Sequence, residues 1–431
     1  LNEETAYKIG RAFAVYLKEN EIGKLEIVVV GHDARISSPI LKRSFIEGIM
    51  DEDINVWDIG LVAVDMIYFA SGHFHLPAAM ITASHNPKEF NGFKLMKSNI
   101  EFFATKDLET IISEKKDILL KEKGRITEGD IKNDYLKHVL DFIDVKAIRP
   151  MRIAVDASSG AVGPILKLIL GKLPLECLLI NFAPDGKFPY HEPDPTKEKN
   201  ITDLKNAISA GHYHFGCAFD GDGDRIIFVD EKGETVDPSI IGALIARYFL
   251  KRYSYGKIVY SAVVSKIIPD VINIYGGEAI RERVGHTFIE KRLKETDGIL
   301  GIETSGHYFF KKNFYADSGI ITFLVMLGIL SNEKKSLSVL VSELSKYVSI
   351  PEVNFKITNP QEFIKKIAQN FEGYDIDWLD GLTVRTSNFW LNLRPSNTEP
   401  LIRLNIEAKD ELVLNRVKDD LLKLIEKEKA L

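Results

Sequence analysis

Three times in this chain a short apolar, β-branched run passes into a polar loop and then into a helix-like stretch with a proline near its start. The first copy is Ile27-Val28-Val29-Val30, the loop Gly31 to Arg35, then Pro39 and Ile40-Leu41. The second is Ile153-Ala154-Val155, the loop Asp156 to Gly160, then Pro164 and Ile165-Leu166. The third is Ile258-Val259-Tyr260, the loop Ser261 to Lys266, then Pro269 and Val271-Ile272. A brief β-branched run followed by a helix reads as a parallel strand and its crossover. Proline fits the first helical turn, where its missing N–H costs nothing. Three such units, roughly a hundred residues apart, predict three α/β domains of similar build.

The last part of the chain follows another plan. Leu382 to Arg385, Phe389 to Leu393 and Leu401 to Ile406 read as adjacent strands, with the clearest alternation in the third. An amphipathic helix from Leu412 to Glu428 follows, with Val413, Val417, Leu421, Leu424 and Ile425 on one face. This predicts an α+β domain rather than a fourth copy. Boundaries are expected at the charged stretch Lys121 to Gly124, at Asp230 to Gly233 and at Ile350-Pro351, which gives domains 1–130, 131–233, 234–348 and 349–431. The charge run Glu114 to Asp117 reads as a solvated face. The length of 431 residues agrees, since about 150 residues per domain allows two to four.

Composition excludes several classes. The balance of 56 Lys and Arg against 62 Asp and Glu gives a net charge of −6, so no basic excess points to nucleic acid or an anionic membrane. The longest apolar run, Gly319 to Leu330, is shorter than the ~20 residues a membrane span needs and reads as a buried helix. Cys177 and Cys217 match no zinc spacing and cannot form a disulfide framework. They read as two buried thiols in a reducing cytoplasm.

Four polar turns carry the chemistry, one per expected domain. Thr82-Ala83-Ser84-His85-Asn86-Pro87 follows the apolar Ala79-Met80-Ile81 and presents a seryl hydroxyl on a tight turn. Asp220-Gly221-Asp222-Gly223-Asp224-Arg225 lies between two β-runs. Three carboxylates on alternate residues converge only around a cation, and hard oxygen donors favour Mg²⁺, Ca²⁺ or Mn²⁺ over zinc. A calcium helix-loop-helix fails here, because Arg225 occupies the sixth place where glycine makes the turn. Gly301-Ile302-Glu303-Thr304-Ser305-Gly306-His307 offers donors and acceptors suited to a polyhydroxyl ligand, or to an ordinary capped turn. Arg394-Pro395-Ser396-Asn397-Thr398-Glu399-Pro400, with Arg403 beyond, suits a phosphate dianion. A Ser-His-Asp triad is a poor reading of Ser84, since adjacent side chains such as Ser84 and His85 usually diverge and no Gly-x-Ser-x-Gly elbow is present.

These four turns, in this order, resemble those of the α-D-phosphohexomutase superfamily, and the resemblance runs the length of the chain. It implies an α/β fold: three similar α/β/α domains and a C-terminal α+β domain, TATA-binding-protein-like, around one central cleft. It implies that Ser84 is the phosphorylated serine and that Ser84, Asp220, Asp222 and Asp224 hold Mg²⁺. His85, Lys94, Arg225 and His307 would surround the reacting centre, with the general base among His307, His85 and Lys94. Glu303 and Ser305 would read sugar hydroxyls, and Arg394, Ser396, Asn397, Thr398 and Arg403 would hold the phosphate that is not transferring. The turn Val284-Gly285-His286 also matches, with Arg283 where the family often has Lys, so Arg283 and His286 join the substrate-binding set. The family opens with a strand and a Gly-Thr-x-Gly-x-Arg-Gly loop ahead of a segment like Leu1 to Leu17, so about twenty further residues carrying an Arg are expected upstream.

The expected reaction moves a phosphoryl group between O1 and O6 of a hexose phosphate through a 1,6-bisphosphate. Substrates would be mannose and/or glucose 1- or 6-phosphates, since Val284-Gly285-His286 resembles the phosphomannomutase/phosphoglucomutase group, with a phosphoglucosamine mutase of the same family as the alternative. Two other readings predict different behaviour. A metal-dependent phosphohydrolase using an Asp of 220–224 would release phosphate and survive loss of Ser84. A non-catalytic sugar-phosphate binder would bind without turnover.

Overall fold

The computed structural model describes residues 1–20, 26–98, 100–102, 105–113, 123–396 and 400–429. The charge run at 114–117, residues 121 and 122 of the 121–124 boundary, and Asn397 and Thr398 lie outside the described residues. The chain gathers into two compact units, Leu1–Val236 with Ser305–Ser338, and Asp237–Thr304 with Val339–Leu431.

The first unit holds two sheets. The first of them is built on the parallel strands Asn55–Leu61, Ile27–His32 and Ala78–Ile81, extended by the antiparallel Phe93–Lys97. All six residues of Ile27–His32 except Ile27 are buried, as a continuous β-branched run demands. Pro39 falls in the first turn of the helix Ser38–Met50, as expected. The second sheet runs Ile226–Asp230, Phe215–Phe219, Met151–Asp156, Leu175–Ile180. Its strands are parallel except for the hairpin that joins Phe215–Phe219 to Ile226–Asp230. The apolar run becomes the helix Gly319–Glu333, buried from Gly319 through Ser331, with Ser318 capping it by accepting from the Ile321 N–H at 2.9 Å. Cys217 is buried, whereas Cys177 is only half-buried, because its strand Leu175–Ile180 is the sheet edge; both are free thiols. The expectation of two buried thiols is corrected on that point.

The second unit repeats the α/β plan with the parallel strands Glu278–Glu282, Lys257–Ser261 and Leu300–Ile302. The C-terminal part is an antiparallel sheet in the order Val348–Ser349, Leu401–Ala408, Phe389–Pro395, Leu382–Arg385, Asp375–Asp377. The helices Pro360–Ala368 and Glu411–Lys429 cover it, contributing Phe363, Ile364, Ile367, Leu414, Val417, Leu421 and Ile425 to one core. Each such side chain contributes about 1.5–3 kcal/mol, so Leu421→Asp would open the closing helix. Leu414, which the stripe omitted, is buried, and Val413 and Leu424 sit at its margin. Among the described residues no helix is long and apolar enough to cross a membrane.

Candidate active site

Ser84 sits two residues beyond the end of the strand Ala78–Ile81 and adopts φ 50°, a left-handed conformation that costs a serine energy. Its neighbours hold it there. The Ser84 N–H donates to Thr82 Oγ1 at 2.8 Å. The Arg35 guanidinium, 1% exposed, donates from Nη2 to the carbonyls of Ser84 and Asn86 at 2.7 and 2.6 Å, and from Nη1 to those of Pro87 and Phe90 at 2.7 and 3.0 Å. Asp33 aligns Arg35 through Oδ2 to Nε at 3.0 Å.

The Asp220–Asp224 turn connects the hairpin strands Phe215–Phe219 and Ile226–Asp230. A Cβ on Gly221 would stand 2.5 Å from the Ser84 carbonyl, and Gly223 has φ +93°, so neither place admits an ordinary side chain. The three carboxylates are 0–1% exposed, with one oxygen of each within 4.8 Å of the others. Ser84 Oγ donates to Asp220 Oδ2 at 2.7 Å and lies 3.2 Å from His85 Nδ1. Lys94, opposite Met80 on the neighbouring strand, places Nζ 2.9 Å from Asp222 Oδ2 and 2.6 Å from Asp224 Oδ2. Arg225 Nε donates to His307 Nε2 at 3.2 Å, and His307 Nδ1 pairs with Ser305 Oγ at 2.7 Å. His307 Nε2 also lies 3.3 Å from Asp224 Oδ1.

Charge follows from this packing. Burial, then the charges of Asp224 and Asp222, push Asp220 well above the carboxylate range. Burial opposes charge on Asp224, but Lys94 and His307 hold it well below the usual value. Burial opposes charge on Lys94 as well, and Asp222 and Asp224 overcome it, so its pKa lies well above the ordinary lysine value. Burial and the Arg225 charge pull His85 down to about 4, so it is neutral at pH 7. Asp222 Oδ1 is buried with no partner among the described residues. Three hard oxygen donors, one of them unsatisfied, and more negative charge than one lysine balances make a set that fits a divalent cation.

The second unit holds the other predicted residues that the structure describes. Glu303, 5% exposed, accepts the Gly285 N–H at 3.2 Å, which joins the Glu303 turn to Val284-Gly285-His286. His286 begins the helix His286–Thr296 behind Gly285. Arg283 is exposed and lies over the Phe288 ring at 4.3 Å. The strand Phe389–Pro395 runs two residues further than expected, because it pairs with Leu401–Ala408 through Pro395, so Arg394 stands in the ladder directly opposite Arg403. Ser396 donates its N–H to the Leu401 carbonyl at 2.9 Å.

Sequence reading missed Arg35, Asp33 and Glu352. The first two lie in the strand-end loop of the first α/β copy, where a buried charge pair was the available signal. Glu352 offered no signal, because its partners are about 42 and 51 positions away.

Three α/β/α domains followed by an α+β domain, with a half-buried seryl hydroxyl bonded to one of three clustered carboxylates, define an α-D-phosphohexomutase. Family models described as phosphoglucomutase/phosphomannomutase alpha/beta/alpha domains I, II and III and C-terminal domain match residues 1–119, 133–233, 237–347 and 352–424. The chain is 36% identical to a phosphomannomutase of Methanocaldococcus jannaschii over 431 residues, covering 99% of this chain and 94% of that protein. It is 34% identical to a phosphoglucomutase of Neisseria meningitidis serogroup A over 436 residues, covering 99% and 94%. A phosphoglucomutase/phosphomannomutase family protein of Burkholderia thailandensis, solved by crystallography, superposes with a TM-score of 0.90 at 29% identity, covering 100% of this chain and 94% of that one. The chain belongs to the phosphoglucomutase/phosphomannomutase family and is an isomerase, a mutase of the phosphotransferase type.

Proposed function

We propose that this enzyme moves a phosphoryl group reversibly between O1 and O6 of mannose and glucose phosphates, through phosphorylated Ser84 and a hexose 1,6-bisphosphate. One observation carries the reading: Ser84 Oγ lies 2.7 Å from Asp220, beside Asp222 and Asp224, on a turn held open by four Arg35 hydrogen bonds. Relatives named both phosphomannomutase and phosphoglucomutase support both substrates.

Asp220, Asp222 and Asp224, with an oxygen on Ser84, would hold Mg²⁺. When bound, it supplies Lewis-acid neutralisation of phosphoryl charge. The chain's own groups do the rest. Arg225, aligned by His307, stabilises the equatorial phosphoryl oxygens of an in-line transfer. The bond from Ser84 Oγ to phosphorus breaks as the sugar oxygen bonds to phosphorus, and the sugar hydroxyl gives its proton to an imidazole. Lys94 serves as a fixed cation and not as that base, because its two carboxylates keep it protonated. His85, neutral and 3.2 Å from Ser84 Oγ, and His307 are the imidazoles in place. Glu303 and Ser305 recognise sugar hydroxyls, with Arg283 and His286 beside them in the substrate set. Arg394, Ser396, Asn397, Thr398 and Arg403 hold the other phosphate. We assign the four domains to 1–130, 131–233, 234–348 and 349–431, and the enzyme to the cytoplasm, which its two free thiols support.

Intact mass with peptide mapping tests the reading. A phosphoryl mass on the Ser84 peptide, turnover of mannose 1-phosphate and glucose 1-phosphate, and a dead Ser84→Ala variant are expected. Phosphate release by an active Ser84→Ala variant would establish a hydrolase instead. Preference for glucosamine 1-phosphate would move the substrate assignment.

A further inference from the structure

Arg394 and Arg403 face each other across antiparallel strands, Phe389–Pro395 and Leu401–Ala408, with directly opposed Cα positions. Like charges in that relation repel and destabilise a sheet unless an anion lies between them. Here the anion is Glu352. Its Oε1 accepts from Arg403 Nη1 at 2.8 Å, and its Oε2 accepts from Arg394 Nη2 at 3.3 Å and from Asn405 Nδ2 at 3.2 Å. One carboxylate therefore spans two guanidiniums, the way a phosphate monoester spans them. The Nε atoms of both arginines are buried and without a partner among the described residues. Two guanidiniums and one carboxylate leave a net charge of +1 for an incoming dianion.

We infer that Glu352 is an internal competitor of the substrate phosphate, a positioning residue that acts through Arg394 and Arg403 and sets how tightly the C-terminal domain holds that phosphate. The inference rests on the proposed role of those two arginines. Its physical content is an exchange. With no ligand, Glu352 keeps two like charges in register. When a phosphate arrives, each guanidinium shifts hydrogen bonds from the carboxylate to the dianion, and the Glu352 charge repels what has bound. Net affinity is the difference between two similar interactions, so product leaves readily.

The sign of the effect separates this from a purely structural role. A structural prop, once weakened, lets the arginines wander and loosens phosphate binding. A competitor, once neutralised, tightens it. The Glu352→Gln variant keeps a hydrogen-bond acceptor for the arginines and removes the charge. Glu352→Asp keeps the charge.

The measurements are inhibition by inorganic phosphate, KM and kcat for glucose 1-phosphate, and the salt dependence of both. Glu352→Gln should bind inorganic phosphate about threefold to fivefold more tightly, lower KM by a similar factor, and lower kcat as release slows. Its phosphate affinity should also fall more steeply with salt, since the site would carry +2. Glu352→Asp should restore values close to the parent. Weaker phosphate binding in Glu352→Gln, or no change in it, overturns the inference. Arg403→Ala serves as the control. If it raises KM strongly while Glu352→Gln changes nothing, the phosphate-binding role stands and the competitor idea falls. If Arg403→Ala leaves KM unchanged, the role of the arginine pair itself falls.

Discussion

Replacing Arg35 by Lys tests the claim that a guanidinium builds the Ser84 turn. The parent side chain is buried and makes four hydrogen bonds to the carbonyls of Ser84, Asn86, Pro87 and Phe90, besides its contact with Asp33. A lysine keeps the charge but offers one compact ammonium in place of a planar fork, so it reaches about two of those carbonyls. Each lost charge-assisted bond costs about 1.5–3 kcal/mol, and the orphaned carbonyls remain buried. Allowing for relaxation, the loss comes to about 3–5 kcal/mol. For a chain of 431 residues, that lowers Tm by roughly 3–6 °C. The same loosening releases Ser84 from its left-handed conformation, and a displacement of about 1 Å at the reacting oxygen costs on the order of a hundredfold in kcat. Calorimetry, phosphoserine content by intact mass, and steady-state kinetics measure the three effects. If Arg35→Lys keeps Tm within about 1 °C and kcat within about twofold of the parent, the guanidinium is not what holds the turn.

Two further outcomes follow from the charges around the turn. In chelator, Lys94→Met leaves two buried carboxylates without their counter-ion, so Tm should fall by several degrees; Mg²⁺ should then restore more stability to the variant than to the parent and bind it more tightly. Equal Mg²⁺ stabilisation of the two proteins would show that Lys94 does not share the carboxylates with the metal. His85 has a folded pKa of about 4, against an ordinary 6.5, because burial and then Arg225 disfavour its charged form. The unfolded chain therefore binds the proton more readily, and stability falls as pH drops from about 6.5 towards 4, by up to about 3 kcal/mol. His85→Asn should flatten that part of the pH–stability curve; an unchanged slope would assign it to other groups.

Local order was legible in the sequence wherever burial imposes a simple pattern. The β-runs at Ile27, Ile153 and Ile258 became strands, and the prolines at 39 and 164 fell in first helical turns. Gly319 to Leu330 became a buried helix because an all-apolar stretch has nowhere else to go. The convergence of Asp220, Asp222 and Asp224 was legible from their alternate spacing, and their oxygens do lie within 4.8 Å of one another. Tertiary structure decided which charges meet. Lys94 is about 130 residues from Asp224, yet its ammonium rests on that carboxylate, which helps hold the lysine pKa above its ordinary value. Arg35 reaches the carbonyls of a loop about 50 positions away, and Glu352 links arginines on two strands that are neighbours only in the folded sheet. Periodicity reports which face of an element is dry, because burial acts on each residue separately. The pairing of charges depends on distance in space, and only the completed fold sets that distance.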